Sequence, residues 1–147
     1  MCKIGDIILV KKYKSDNKEI GMHSFVVISD EEGEIQGLPY DIVCNVLSSL
    51  KGGEHRKRKL SYPGNLPITS KDTEIPDGNQ KDGYIKAEQF YYFKKELIDY
   101  TVIGNMTIES FNMLIDFIYN LPIDIIHVTD NLKWQTIVLV RGIFLIY

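Results

Sequence analysis

Gly21-Met22-His23-Ser24-Phe25-Val26-Val27-Ile28-Ser29 reads as a buried strand: a β-branched and aromatic run over residues 25–28, with Gly21 before it and the acidic turn Asp30-Glu31-Glu32-Gly33 after it. A second run of the same kind, residues 7–10, follows the turn-prone Gly5-Asp6. A third, residues 40–47, ends at Ser48-Ser49 and the pair Gly52-Gly53, where a flexible loop is expected to begin. Short apolar runs at 66–69, 84–93 and 97–103 extend the series, and Pro67 confines the first of these to a sheet edge. Between them, residues 71–83 are rich in Asp, Gly, Pro, Asn and Gln and describe a solvated loop.

Only one segment has helical spacing. Thr107 suits an N-cap, Glu109 the first turn, and Ile108, Phe111, Leu114, Ile115, Ile118 and Leu121 recur along one side until Pro122, so the expected helix spans 107–121. A further strand is read at 123–128, and two apolar arms at 137–140 and 143–147, joined by Arg141-Gly142, suggest a hairpin. Many short strands and one late helix argue for a mainly β fold, a small barrel closed or half closed with a C-terminal helix. One domain is expected over 1–132, with 133–147 as an apolar C-terminal tail.

The chain has 147 residues, a formal charge of −3 and a pI near 5.6, so no global field draws it to nucleic acid. Local charge is another matter. Lys51, Arg56, Lys57, Arg58 and Lys59, with His55 among them, face a single acid, Glu54, and form a footprint suited to a phosphate backbone. Cys2 and Cys44 make no disulfide framework, and the start lacks a secretory signal, which points to the cytoplasm. The apolar end is interrupted by Arg141-Gly142 and is too short for a membrane span. His23, His55 and His127 are scattered and neither cysteine has a partner at ligand spacing, so no metal site is expected. The glycine-rich signatures of nucleotide sites are missing too, and no cofactor is expected.

In order along the chain, Gly5-Asp6 with its apolar strand, residues 21–29, Ser48-Ser49 closing the third strand, Tyr62-Pro63 and Asp82-Gly83-Tyr84-Ile85-Lys86-Ala87-Glu88-Gln89 resemble the pattern of the MazF/PemK toxins. The resemblance covers roughly residues 4–93 and the late helix. It departs from that pattern where His23 replaces the usual arginine, Ser24 the following proline, and serine the catalytic threonine. A rival register sets Leu66-Pro67-Ile68-Thr69-Ser70 on the segment that ends in Thr-Ser, making Thr69 and Ser70 the alternative catalytic pair.

The resemblance implies an SH3-like barrel and a metal-independent endoribonuclease that cuts single-stranded RNA by 2′-hydroxyl attack, leaving 2′,3′-cyclic phosphate and 5′-hydroxyl ends. It further implies a homodimer and a cognate antitoxin. His23 is the natural proton carrier, because an imidazole titrates near neutrality. Ser48 and Ser49 would meet the scissile phosphate, while Lys51, His55, Arg56, Lys57, Arg58 and Lys59 would hold RNA. Tyr40, Tyr62, Tyr84 and the rings at 90–93 are candidates for base stacking, with alternation sending Phe90 and Tyr92 to one face and Tyr91 and Phe93 to the other. The alternative is a non-catalytic small-barrel module that binds nucleic acid or a peptide.

Overall fold

The computed structural model describes residues 1–76 and 82–133. The loop tip at 77–81 and the two apolar arms of the tail lie outside the described residues.

The chain begins with β1 (Asp6–Val10), a hairpin of β2 (Tyr13–Ser15) and β3 (Lys18–Ile20), and the long β4 (His23–Ser29). A second hairpin, β5 (Gly33–Ile35) and β6 (Leu38–Tyr40), leads into β7 (Ile42–Ser49) and then helix α1 (Glu54–Ser61). After it come β8 (Asn65–Ile68), β9 (Thr73–Glu74), β10 (Gly83–Lys86), β11 (Gln89–Phe93) and β12 (Tyr100–Met106). Helix α2 (Ile108–Tyr119) and the short β13 (Ile126–Val128) follow.

The fold is mainly β: a curled, half-barrel sheet ordered β13-β11-β7-β4-β1-β12-β9, with β10 on β7 and β8 on β10, followed by the C-terminal helix. All its pairings are antiparallel except β11 with β13. As expected, Pro67 lies on a strand with one neighbour, where its missing N–H costs no ladder bond.

The register of β4 determines what each face of the sheet carries. Phe25 is opposite Ile8 and Val46, and Val26 is opposite Ile7 and Asn45. Directly opposed residues share a face. One face therefore joins Ile8, Val10, Phe25, Cys44 and Val46 in a core closed by Tyr13, Tyr91 and Phe93. The other joins Ile7, Val26 and Ile85 beneath Leu114, with Phe111, Phe117 and Ile118 of α2 packed around them. Helix α2 starts as expected, with the Thr107 hydroxyl accepting from Ser110 N at 3.2 Å. Its stripe is narrower than the sequence suggests, since Ile108 stays exposed while Ser110 is buried.

Four expectations are corrected. The basic stretch after Gly52-Gly53, read as a flexible loop, is mostly helix α1, which Gly53 enters at φ 63, a conformation that suits glycine. Residues 40–47 are not one strand: the chain breaks at Asp41, whose carboxylate accepts Lys95 N at 2.8 Å. Residues 84–93 form two strands, because a turn at Ala87-Glu88 interrupts their pairing with β7. Residues 97–103 begin in a 3-10 turn at Lys95–Leu97, and β12 starts only at Tyr100.

The hairpins β2–β3 and β5–β6 were not expected either. Their two-residue turns, Asp16-Asn17 and Gln36-Gly37, have positive φ at both positions, which matches the right-handed twist of the flanking strands. Beyond β13, Asn131 is buried and binds Lys14 through both side-chain ends, accepting from N at 2.7 Å and donating to O at 3.1 Å. Leu132 packs with Val43 and Tyr92. The end of the expected domain is thus tied to its beginning.

Candidate functional site

Where β4 begins and β7 ends, the core closed by α2 runs out of apolar side chains. Ser24, Ser48, Ser49, Thr69, Thr73 and Asp82 line a cavity of about 150 Å³ there, floored by Ile7, Leu47, Ile68 and Ile75. Gly83 lets the walls approach, since a Cβ at that position would stand 2.6 Å from the Ser48 carbonyl oxygen. Ser49 is exposed and Ser48 half-buried.

The two registers left open by the sequence converge at this cavity. Ser49 reaches it from β7 and Thr69 from the end of β8, while Ser48 borders it through its backbone and alternation turns its side chain to the His23 face. Ser70 is exposed and does not line it. Asp72 holds Thr69 in place: its carboxylate accepts Thr69 N at 2.7 Å and the Thr69 hydroxyl at 3.3 Å, while its other oxygen accepts the Ser110 hydroxyl at 2.7 Å. Partial burial works to raise the Asp72 carboxyl, and the hydrogen bonds from Ser110 and Thr69 outweigh it, so it titrates below the usual carboxylate range. Asp72, Thr73 and Asp82 were not singled out from the sequence as site residues. The spacing Thr69-x-x-Asp72, suited to a side-chain-closed turn, was the signal for the first.

His23 lies at the same end of the β4–β7 pair as Ser48, because it precedes Ser24 and Ser48 follows Leu47 across an antiparallel pairing. Alternation sets its ring on the Phe25 face rather than the Ser24 face. It is half-buried, edge-on to Tyr13 at a centroid distance of 5.7 Å, and does not line the cavity. Its Nδ1 lies 3.2 Å from the Gly21 carbonyl. A carbonyl only accepts, so Nδ1 carries the hydrogen in that bond and the neutral ring presents its lone pair at Nε2.

Helix α1 stands beside this end of the sheet and buries none of its residues. Arg56, Lys57 and Arg58 are exposed, and Lys59 and His55 half-buried. Arg56 reaches the cavity wall through Asp82, Nη1 to Oδ2 at 3.4 Å, in an ion pair whose members are both about half exposed. Lys51 N donates to His55 Nδ1 at 3.1 Å. Partial burial, then the charges of Arg58, Lys59 and Lys51, lower the His55 imidazole below its ordinary value.

The candidate stacking rings divide sharply. Tyr84 is 3% exposed, and Tyr91 and Phe93 belong to the inner core, so none of the three offers a face to a base. Phe90 and Tyr92 do share the opposite side, where Tyr40 meets Tyr92 at 4.9 Å and the Tyr92 hydroxyl is 2.6 Å from His127 Nδ1. Tyr62 is open, at 44% exposure. Among the described residues no group of three or more His, Cys, Asp and Glu side chains is arranged to hold a metal ion. No described helix is long and apolar enough to cross a membrane.

No protein-family model matches the chain, and comparison with the curated proteins finds no match.

Proposed function

We propose that the chain is an endoribonuclease of the MazF/PemK kind, cutting single-stranded RNA without a metal ion, in the cytoplasm and as a homodimer held in check by an antitoxin. The observation that carries the reading is the hydroxyl-bearing cavity at the β4–β7 end with the Arg56 guanidinium paired to Asp82 of its wall. Two hydroxyls, Ser49 and Thr69, suit the non-bridging oxygens of a phosphate, Ser48 stands on the His23 side of the same strand end, and Arg56 can exchange its exposed partner Asp82 for that anion.

In this scheme a base takes the proton of the RNA 2′-hydroxyl, and O2′ attacks the adjacent phosphorus. The bond from phosphorus to O5′ breaks and an acid protonates the departing oxygen, which accounts for the cyclic phosphate and the 5′-hydroxyl. His23 serves as the base through Nε2, with Nδ1–H anchored on Gly21. Lys51, Lys57, Arg58 and Lys59 bind the flanking phosphates, and His55 sits among them.

A mixed-sequence RNA incubated with the protein in EDTA should yield fragments ending in cyclic phosphate. His23→Ala should stop cleavage, and Ser48→Ala, Ser49→Ala and Thr69→Ala should each slow it. Intact RNA with the wild-type chain would refute the nuclease. One observation favours a second reading, a non-catalytic module that only binds RNA: the His23 ring rests on Tyr13, on the face away from Ser24. That module would retard RNA on a gel, lose retardation when Arg56, Lys57, Arg58 and Lys59 become Ala, and leave the RNA uncut.

A further inference from the structure

Glu88 is 3% exposed, at the turn between β10 and β11, and no ion pair reaches its carboxylate among the described residues. Its Oε1 accepts from Gln89 Nε2 at 3.3 Å, and its Oε2 has no hydrogen-bond partner. Burying a carboxylate this way costs free energy unless donors are supplied. Gly64 leaves room for it, since a Cβ at that position would collide with Oε2. The turn is pinned on three sides, by Asn45 Nδ2 donating to Gln89 O at 2.9 Å, Ala87 N to Gly64 O at 2.9 Å and Ile126 N to Glu88 O at 2.7 Å.

Glu88 is among the residues that line an open cleft of about 330 Å³ between α1 and the β10–β11 turn, its carboxylate buried just behind the wall. Arg58, Lys59 and Lys86 supply positive charge around it, and the half-open Tyr62 ring supplies a flat apolar face. Three cations against one carboxylate call for a ligand that is anionic overall, while the carboxylate itself calls for N–H donors. A flat ring with a donor edge, attached to a phosphate, meets both demands. Among the RNA bases guanine alone offers two adjacent donors, the ring N1–H and the 2-amino group, on one edge.

We propose that this cleft is a guanine-selective base subsite, in which Glu88 accepts from the guanine edge, Tyr62 stacks on the ring and Arg58, Lys59 and Lys86 hold the phosphate. It rests on the RNA reading for its polymer substrate and adds a base preference to it. The path is short: Gly83 lines the hydroxyl-bearing cavity and Lys86 the cleft, and a strand rises about 3.3 Å per residue, so roughly 10 Å of β10 separates them. Helix α1 flanks both, Arg56 at one and Arg58 with Lys59 at the other.

Calorimetric titration with 5′-GMP, 5′-IMP and 5′-AMP tests the subsite without any cleavage, so its failure and that of the nuclease are separable. GMP should bind about tenfold or more tightly than AMP, with IMP, which lacks the 2-amino group, between them. Glu88→Gln should abolish the GMP preference with AMP bound no more weakly than before, and because it removes a buried charge it should not unfold the chain. Tyr62→Ala, at an exposed ring, should weaken all three nucleotides alike. Equal binding of GMP and AMP, or a preference that survives Glu88→Gln, would overturn the proposal.

Discussion

The two faces of β4 differ by a single residue step and end in opposite ways. On one, Phe25 meets three rings edge-on, Tyr13 at 5.0 Å, Tyr91 at 5.2 Å and Phe93 at 5.4 Å, and the packing is closed by aromatic side chains. On the other, Val26 joins Ile7, Ile85 and Leu114, but the next position on that face toward the strand start is Ser24, and the packing gives way to a polar cavity. The sealed face supplies rigidity, and the face that stops short offers hydroxyls to solvent. Candidate chemistry on this molecule sits where apolar packing runs out, beside a core that stays intact.

The largest expected effect comes from breaking the sealed face. Phe25→Ala leaves a void among rings with no exposed neighbour to fill it, and should destabilise the chain by about 3–5 kcal/mol in urea unfolding. Ser24→Ala, one residue away, removes only a half-exposed hydroxyl and should change stability by less than about 1 kcal/mol while weakening RNA binding. Equal costs for the two substitutions would erase the contrast between the faces.

That contrast was half legible in the sequence. The apolar runs gave away β1, β4 and β7, and Thr107 with its helical spacing gave away α2, because buried strands and an amphipathic helix leave periodic signatures. The hairpins at Asp16-Asn17 and Gln36-Gly37 were harder to read, since only the second contains a glycine and their strands are short and largely polar. Helix α1 was hidden for a related reason: its side chains are mostly charged or polar, with none buried, so no apolar period marks it. As for the site, Ser48, Ser49 and Thr69 were each visible as residues at strand ends. Their meeting was not, because it depends on β10 bridging β7 and β8, a long-range pairing that no local pattern records.

A middle-sized effect should come from Asp72, which ties the open face to α2. Asp72→Ala strips the acceptor from Thr69 N, the Thr69 hydroxyl and the Ser110 hydroxyl, and should cost about 1–3 kcal/mol. The wild type should also show its mark in pH. A carboxyl held below its unfolded value contributes stability that is complete above that unfolded value and is lost as pH falls through the folded one. Asp72→Asn should therefore flatten the acid limb of the stability curve between those two values, and an unchanged limb would show that the bonds to Thr69 and Ser110 carry little of it.

The smallest effect should be a titration. His55 is held below its ordinary value of about 6.5 by partial burial and then by Arg58, Lys59 and Lys51, so the folded chain binds that proton less readily than the unfolded one. Stability from this source is present at higher pH and declines as pH falls from the unfolded value toward the folded one. Phosphates laid along α1 would offset the neighbouring charges, and the imidazole should then rise toward its ordinary value with uptake of a proton. A short single-stranded RNA added during a pH titration followed by the His55 NMR signals should displace its midpoint upward, and high salt should remove the displacement. A midpoint indifferent to RNA would place the nucleic acid away from α1, leaving the hydroxyl-lined face without its cationic flank.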